Sequence, residues 1–353
     1  MRAWQFSGFG DIDKLGIREI GQSCPGPGEV RVTVSFAGIN HVDRLVVNGR
    51  LKWVSLPKTP GAEYVGTVSE AGEGVHDFHR GDRVAVFPKM FCGRCRYCLA
   101  GQEGVCLSGW NPERAPVDLS TNMLPSSMDG GWAEEALIPS RNLVKLPESL
   151  GFREAACLPL SAMTASHIVS RVRPSPGESA VVVGANGGVG HFAVQLLKLS
   201  GLTVIAIASS ASQEEAMKSL GADFVIARDA GNVRESIMSQ TGGYGADIIV
   251  DSIGQATFRE SLNSLAPCGR YVTAGTLSGP FSELSLMQLY SRQLELIGST
   301  TGSRRDLEAV VDLASRGKMK GVVAGEYAFE ELPAALEEHA KGGRLGKILL
   351  RVG

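Results

Sequence analysis

Two stretches of this chain carry residue types at spacings that can do chemistry. The first is a set of four cysteines, Cys92, Cys95, Cys98 and Cys106, in the pattern C-x2-C-x2-C-x7-C. Four thiolates this close suit one tetrahedral zinc ion at about 2.3 Å Zn–S, with no coordination position left for water. The second spans residues 179–200, SAVVVGANGGVGHFAVQLLKLS. An apolar run (Ala180, Val181, Val182, Val183) enters a turn containing Gly184, Gly187, Gly188, Val189 and Gly190, and a helical pattern follows. The buried face of that helix would carry Val189, Phe192, Ala193, Leu196 and Leu197. Strand, tight turn and helix N-terminus is the arrangement that holds a dinucleotide pyrophosphate. The glycines let the backbone approach the phosphates, and the N–H groups and helix dipole favour the anion. A turn serving only helix–sheet packing is the alternative, and the strand before and helix after weigh against it.

These two stretches need elements to position them, and the texture of the chain supplies two kinds. The N-terminal half reads as short strands: residues 29–36 alternate Val30, Val32, Val34 and Phe36 with polar positions, and 64–68 and 83–87 continue the pattern. Residues 108–131 show little pattern and read as loop. From about residue 150, strands are expected at 180–183, 204–208, 224–226, 248–251, 271–274 and 294–297. Helices lie between most of them, for example 212–220 and 257–265. Such repeated units argue an α/β fold with a doubly wound parallel sheet. The tail predicts helices over 307–316 and 332–341 and a last strand over 347–352.

With 353 residues the chain should make two domains, or one large domain with an insertion, and 43% hydrophobic residues with a formal net charge of −2 is ordinary for a soluble enzyme. It offers no basic surface for nucleic acid, no apolar run long enough for a membrane span and no signal-peptide core at the N-terminus. A cytoplasmic location is expected. Seven cysteines, four of them clustered, do not make a disulfide framework. Cys24, Cys157 and Cys268 read as small buried residues.

The pieces PGPGEVRV, AGINHVD, LPKTPGAEYVGTVSEAGEGV, GDRVAVFP, the cysteine cluster, GGWAEEALIPSRNLVKLPE, AACLPLSAMTASHI, GANGGVG, LGAD and GRLGKILLRV follow one another over nearly the whole chain. Together they resemble the medium-chain, zinc-type alcohol dehydrogenase superfamily. The resemblance implies a GroES-like β-barrel catalytic domain from residues 1–156 and 303–353, with a structural zinc lobe at about 90–110. A Rossmann cofactor domain, 157–302, would be inserted in it, with a substrate cleft between the two. Homodimers or homotetramers joined through the nucleotide-binding sheet are usual in the family.

The catalytic zinc of the alcohol dehydrogenases is held by a cysteine in the AG-[IV]-C segment, a histidine in G-H-E and a later cysteine or acid. Here those positions are Asn40, Ala62 and, by alignment, Leu160. Asparagine and alanine do not replace a thiolate and an imidazole. A site rebuilt from His41, Asp43 and Glu63 is the alternative. The Asn40…Asp43 spacing and LPLSAMTA are similar to the zinc-independent quinone oxidoreductase branch, which delivers hydride directly to electron-poor acceptors. Asn40 is then the candidate donor to a developing oxyanion, or else bonds structurally to backbone. His41 would serve the cofactor pyrophosphate, relay a proton, or simply line the cleft. Asp43 completes the catalytic set, and Tyr64 is expected beside the cleft.

NAD-specific enzymes place an acid about 20 residues beyond the glycines. Here Ala208, Ser209, Ser210, Ala211, Ser212 and Gln213 pass before the first acid, Glu214. Ser209, Ser210 and Gln213 therefore point to NADP(H), with NAD(H) also open. By the resemblance, Thr164 faces the nicotinamide, and Gly275, Thr276, Ser299, Thr300 and Thr301 present groups to the ring and its amide. Lys347 would reach the pyrophosphate, and His191 would lie near the cofactor. Substrate-lining positions are expected at Leu51, Trp53, Trp110 and Met128. The function implied is an NADPH-dependent reductase without catalytic zinc, with one structural zinc, acting on a small quinone, enone or enoyl thioester. The rivals are an alcohol or aldehyde dehydrogenase with an altered metal site and a nucleotide-binding protein without turnover.

Overall fold

The valine alternation of the N-terminal half and the apolar runs of the second half build two separate sheets. A computed structural model describes residues 1–21, 23–51, 54–109 and 122–353. Strands β1 (Arg2–Phe6) and β2 (Leu15–Glu19) pair antiparallel. Then come β3 (Glu29–Gly38), helix α1 (His41–Val47), β4 (Glu63–Ala71), β5 (Arg83–Val86), α2 (Arg96–Leu99), β6 (Glu135–Pro139), β7 (Leu143–Lys145) and α3 (Phe152–Ala155). A π-helical turn, Leu158–Ala162, leads into α4 (Met163–Val172). Strands and helices alternate from there: β8 (Ser179–Val183), α5 (Gly190–Leu199), β9 (Thr203–Ala208), α6 (Glu214–Ser219), β10 (Phe224–Ala227), α7 (Val233–Gln240) and β11 (Ala246–Asp251). They continue as α8 (Gln255–Ser264), β12 (Leu265–Thr273), α9 (Leu286–Ser291) and β13 (Glu295–Gly298). The chain closes with α10 (Arg304–Ser315), β14 (Val323–Ala328), α11 (Leu332–Lys341) and β15 (Lys347–Arg351). Among the described residues no helix is long and apolar enough to cross a membrane.

One compact unit comprises Met1–Leu160, Gly302–Gly342 and Lys347–Gly353; the other comprises Ser161–Thr301 and Gly343–Gly346. In the first, the strand order is β14-β15-β3-β4-β5-β7, with β6 also on β3. Val30, Val32 and Val34 of β3 point into its core beside Tyr64, Trp132 and Ile138. Each such buried side chain contributes about 1.5–3 kcal/mol. Phe36 does not continue the series, contrary to the alternation. The β3–β4 register shifts between Val34 and Phe36, and the extra residue puts Ala37 and Ile39 inward while Phe36 stays half-buried.

The second unit holds six parallel strands in the order β10-β9-β8-β11-β12-β13. The chain winds outward from β8 to β10, then returns to β11 on the other side of β8. That reversal is the topological switch point, where such sheets open a crevice at the strand ends. Helix α5 departs from the one-sided burial expected of it, since every residue from Gly190 to Leu197 is buried, His191 included. Helix α10 begins three residues earlier than its apolar pattern suggests. Ser303 caps it: the Ser303 hydroxyl accepts the Asp306 N–H at 3.2 Å, and the Asp306 carboxylate accepts the Ser303 N–H at 2.9 Å.

Candidate functional site

The turn between β3 and α1, the start of β4 and the start of β15 bring three polar side chains, Asn40, Glu63 and Lys347, together inside the barrel unit. Glu63 is completely buried, and its Oε2 lies 2.6 Å from the Lys347 ammonium, itself 3% exposed. Lys347 also donates to Asn40 Oδ1 and, at 3.3 Å, to the carbonyl of Ile39. Asn40 Nδ2 donates to Glu63 Oε2 at 3.0 Å, and the Leu160 N–H donates to Glu63 Oε1 at 2.9 Å. Gly38 makes room for this carboxylate, because a Cβ there would stand 2.4 Å from Glu63 Oε2. Buried charges persist only when paired and hydrogen-bonded in this way.

This geometry revises two assignments. Asn40 is the buried amide of an ion-pair network, with its oxygen on Lys347 and its nitrogen on Glu63 and, at 3.4 Å, on the Gly38 carbonyl. It holds no spare donor for a substrate oxyanion. Lys347 spends its ammonium on Glu63, Asn40 and Ile39 and not on a pyrophosphate. Asp43 is buried too, and its carboxylate accepts the N–H groups of Asn40, Gly61 and Ala62 at 3.0, 3.2 and 2.8 Å. It fixes the start of α1 against the 61–62 turn. Burial pushes Asp43 up to about 7, against the pull of those N–H groups and of Lys347. His41 stands exposed one residue from Asn40. Loss of solvent around its ring, then the Arg44 and Arg50 cations, hold its pKa below the ordinary value. His41, Asp43 and Glu63 thus face different partners and do not converge as a ligand set.

Tyr64, expected beside a cleft, lies in the barrel core with its hydroxyl unpartnered among the described residues, and burial pushes the phenol pKa up. Leu51 and Met128 are half-buried against apolar neighbours. Trp53 and Trp110 lie outside the described residues. Cys157 is buried as expected and pushed up to about 12, whereas Cys24 and Cys268 are exposed.

The cysteine lobe is a ready metal cage. The Sγ atoms of Cys92, Cys95, Cys98 and Cys106 all lie within 4.8 Å of one another. The separations Cys95–Cys98 3.5 Å, Cys92–Cys106 3.6 Å, and Cys92–Cys98 and Cys95–Cys106 4.0 Å bracket the edge of about 3.8 Å that a tetrahedron with ~2.3 Å Zn–S bonds requires. Backbone N–H groups of Cys92, Cys95 and Ser108 already point at the sulfurs, at 3.3–3.4 Å. The N–H groups of Cys98 and Leu107 draw the Cys95 thiol down to about 6, toward the thiolate that a metal needs.

In the other unit, β8 delivers the glycine turn to the switch point. Gly184 has φ +70°, and a Cβ on Gly190 would lie 2.2 Å from the Gly184 carbonyl, so the third glycine lets α5 close onto the turn. The turn closes on itself as the helix opens, with the Gly187 N–H donating to the Gly184 carbonyl at 3.0 Å and the His191 N–H to the Gly187 carbonyl at 3.3 Å; the positive end of a helix opening here favours an anion. Asn186 laces the site: its Oδ1 accepts the Ser209 N–H at 3.2 Å, and its Nδ2 donates to the Arg344 carbonyl at 2.9 Å. At the end of β9, Ser209 Oγ donates to Gln213 Oε1 at 3.0 Å and Ser210 Oγ lies 2.7 Å from Ser212 Oγ. No carboxylate stands among them. His191, held 2.9 Å from the Gly187 carbonyl, packs inside α5.

The expected nicotinamide contacts divide. Thr164 is buried in α4, Gly275 is half-buried and Thr276 and Thr300 are exposed. A Cβ on Gly275 would meet the Ser252 carbonyl at 2.5 Å, so this loop runs tight against the end of β11. Ser299 Oγ and Thr301 Oγ1 are buried hydroxyls without a hydrogen-bond partner among the described residues, and Thr301 holds a left-handed φ of +45°. Orphaned hydroxyls and a strained β-branched residue gather where a ligand completes the bonding. A carboxamide, with donors and an acceptor, fits that need, and so the residues present suit a nicotinamide dinucleotide. Two features were invisible in sequence: the Glu63–Lys347 pair, whose partners are far apart in the chain, and the docking of residues 343–346 on the glycine turn.

Comparison with known proteins agrees with this geometry. Residues 26–148 match the alcohol dehydrogenase GroES-like domain, and residues 188–316 match the zinc-binding dehydrogenase domain. The NAD-dependent alcohol dehydrogenase of Sulfolobus acidocaldarius is 30% identical over 100% of both chains. The acryloyl-coenzyme A reductase of Metallosphaera sedula is 31% identical over 95% of each. The crystal structure of a thermostable alcohol dehydrogenase from Pyrobaculum aerophilum superposes with a TM-score of 0.89, at 38% identity, covering 100% of this chain and 99% of that one. The chain therefore belongs to the medium-chain, zinc-type alcohol dehydrogenase superfamily, and it is an NAD(P)-dependent oxidoreductase.

Proposed function

We propose that this protein is a cytoplasmic NADPH-dependent reductase that works without a catalytic metal, on a quinone, an enone or an enoyl thioester. The observation that carries this reading is the state of Glu63. Positions 40, 62 and 160 hold Asn, Ala and Leu, and the carboxylate among them is committed to Lys347, Asn40 and the Leu160 N–H. That donor set does not fit zinc. Zinc fits the cysteine lobe instead, with Cys92, Cys95, Cys98 and Cys106 as ligands, at one ion per chain. NADPH, when bound, supplies the hydride. The glycine turn would hold its pyrophosphate, and Ser299 and Thr301 would orient its carboxamide. An electron-poor acceptor needs less Lewis-acid help than an alcohol or simple aldehyde, so positioning accounts for most of the rate. The relative named for reducing acryloyl-coenzyme A, an activated alkene, is consistent with this class.

The carboxylate-free loop at Ser209, Ser210 and Gln213 supports NADP(H), because it imposes no repulsion on a 2′-phosphate. A homodimer or homotetramer is supported by β13, an edge strand among the described residues with Leu296 exposed on it and Phe281, Leu286, Met287 and Tyr290 exposed in the segment before it. The relatives named alcohol dehydrogenases favour a second reading, an alcohol or aldehyde dehydrogenase with an altered metal site. One experiment separates the two. NADPH oxidation is followed with a quinone, an enone and an enoyl thioester, with and without a chelator too weak to strip four thiolates, alongside zinc analysis. About one zinc per chain and chelator-resistant turnover support the first reading. Alcohol oxidation lost on chelation and restored by zinc establishes the second.

A further inference from the structure

Asn186 lies buried inside the glycine turn, between Gly184 and Gly187. The turn is tied to β9 by its backbone, through the Ala185 N–H and the Ile207 carbonyl at 3.0 Å. The Asn186 side chain carries that tie past the end of the strand, where its Oδ1 accepts the Ser209 N–H at 3.2 Å. Its Nδ2 donates to the Arg344 carbonyl at 2.9 Å, and its own carbonyl accepts the Gly346 N–H at 2.9 Å. Residues Gly343–Gly346 belong to the same unit as the turn although they lie 130 and more positions beyond the loop after β9. The Gly343 carbonyl in turn accepts from Gln213 Nε2 at 2.6 Å and from Ser209 Oγ at 3.3 Å. The glycine turn, the strand-end loop and the docked segment therefore meet on the amide of Asn186, whose oxygen holds the loop and whose nitrogen holds the segment.

We propose that Asn186 is a positioning residue for the dinucleotide, fixing the distance between the turn that takes the pyrophosphate and the loop that takes the adenosine ribose. In a sheet of this topology the pyrophosphate meets the helix after the first strand, here β8, and the ribose is met about 20 residues on, at the end of β9. One ligand spans both places, so holding them in register before it arrives removes an ordering cost from binding. An amide suits the position because it offers an acceptor and a donor together and sets no charge against a pyrophosphate. The proposal rests on the placement of the pyrophosphate at the glycine turn given above, and it holds for NADPH and NADH alike.

Amide exchange and ligand binding on the full-length protein test this without knowledge of the substrate. Asn186→Ala should speed exchange of the Ser209 amide in the ligand-free protein, because its acceptor is gone. NADPH, NADH and ADP-ribose should each bind about five- to thirtyfold more weakly, the equivalent of one or two neutral hydrogen bonds. Nicotinamide mononucleotide, which ends at a single phosphate and does not reach the loop, should bind as it does to the wild type, and that also shows the variant is folded. Equal weakening of all four ligands is a general loosening of the unit and overturns the positioning role, as does unchanged affinity for ADP-ribose. An unchanged Ser209 exchange rate overturns it at the root, since the clamp would not exist in solution. The placement of the cofactor is checked separately on the wild type, where ADP-ribose should slow exchange in the glycine turn and in the loop after β9. Protection confined to other segments overturns that placement, and the role of Asn186 with it.

Discussion

Lys347→Met is the substitution that most directly tests the barrel-end network. At 2.6 Å the Lys347–Glu63 attraction is about 6 kcal/mol for an effective dielectric near 20, and desolvation of two buried groups cancels much of it. The net worth of the pair is therefore small, but breaking it from one side is not. Methionine leaves Glu63, which has no exposed surface, without its ammonium partner, while the Leu160 and Asn40 N–H groups stay at 2.9 and 3.0 Å. It also leaves Asn40 Oδ1 without its ammonium donor. Loss of one partner of such a pair costs about 3–5 kcal/mol. That corresponds to a fall of about 10 °C in the melting of the barrel unit. Glu63→Gln alone should destabilise by a similar amount, because it strands the ammonium. The double variant Lys347→Met with Glu63→Gln removes both charges, and it should recover about 2–4 kcal/mol relative to the sum of the singles. Thermal and urea melts of the four proteins close this cycle. Single effects below about 1 kcal/mol that simply add would mean that the two side chains are not paired in solution. The carboxylate would then be available to a metal, and the argument against a catalytic zinc would fall with it.

Two further perturbations read other parts of the site. Asp43 is pushed up to about 7 in the fold, against about 3.9 in an unfolded chain. The folded protein therefore holds a proton between these values that the unfolded chain releases. The Asp43 contribution to stability is greatest below about pH 4 and is lost as pH rises through 7. Asp43→Asn, neutral throughout, should flatten the dependence of melting temperature on pH between 5 and 8; parallel profiles for the two proteins would refute this. Cys106→Ser should lower bound zinc from about one per chain to well below half and depress the melting temperature, because a closed four-thiolate site tolerates no missing ligand. Full zinc retention in that variant would place the ion elsewhere.

The fold was legible in the sequence where local pattern and tertiary demand agree. The parallel strands announced themselves as apolar runs such as Val181–Val182–Val183, because strands covered on both faces need no polar alternation. The glycine turn was legible because close backbone approach demands particular residues, as the would-be clash at Gly190 shows. The phase of β3 was not, since a bulge near Ser35 depends on the β4 register and leaves no compositional trace. The one-sided pattern at 190–199 misleads for a related reason: how many faces a helix buries is decided by what packs around it, and nothing beside His191 in the sequence signals its burial.

The two residues whose partners differ from the expectation, Asn40 and Lys347, share one property, which is distance along the chain. Lys347 and Asn40 are 307 positions apart, and the sequence offers each only its own neighbours as context. A lone amide near a reaction centre invites a role in holding an oxyanion, and a lone lysine near a nucleotide invites a role in holding a phosphate. Once the two meet over Glu63, neither role is open to it, because a hydrogen bond already made in a buried site is not available to a ligand without leaving a buried group unpaired. The same logic works in the opposite direction for Ser299 and Thr301, whose hydroxyls are buried and unmatched among the described residues. Position in a motif names the candidates in this chain. The state of their hydrogen bonds decides which of them can still act on something that arrives.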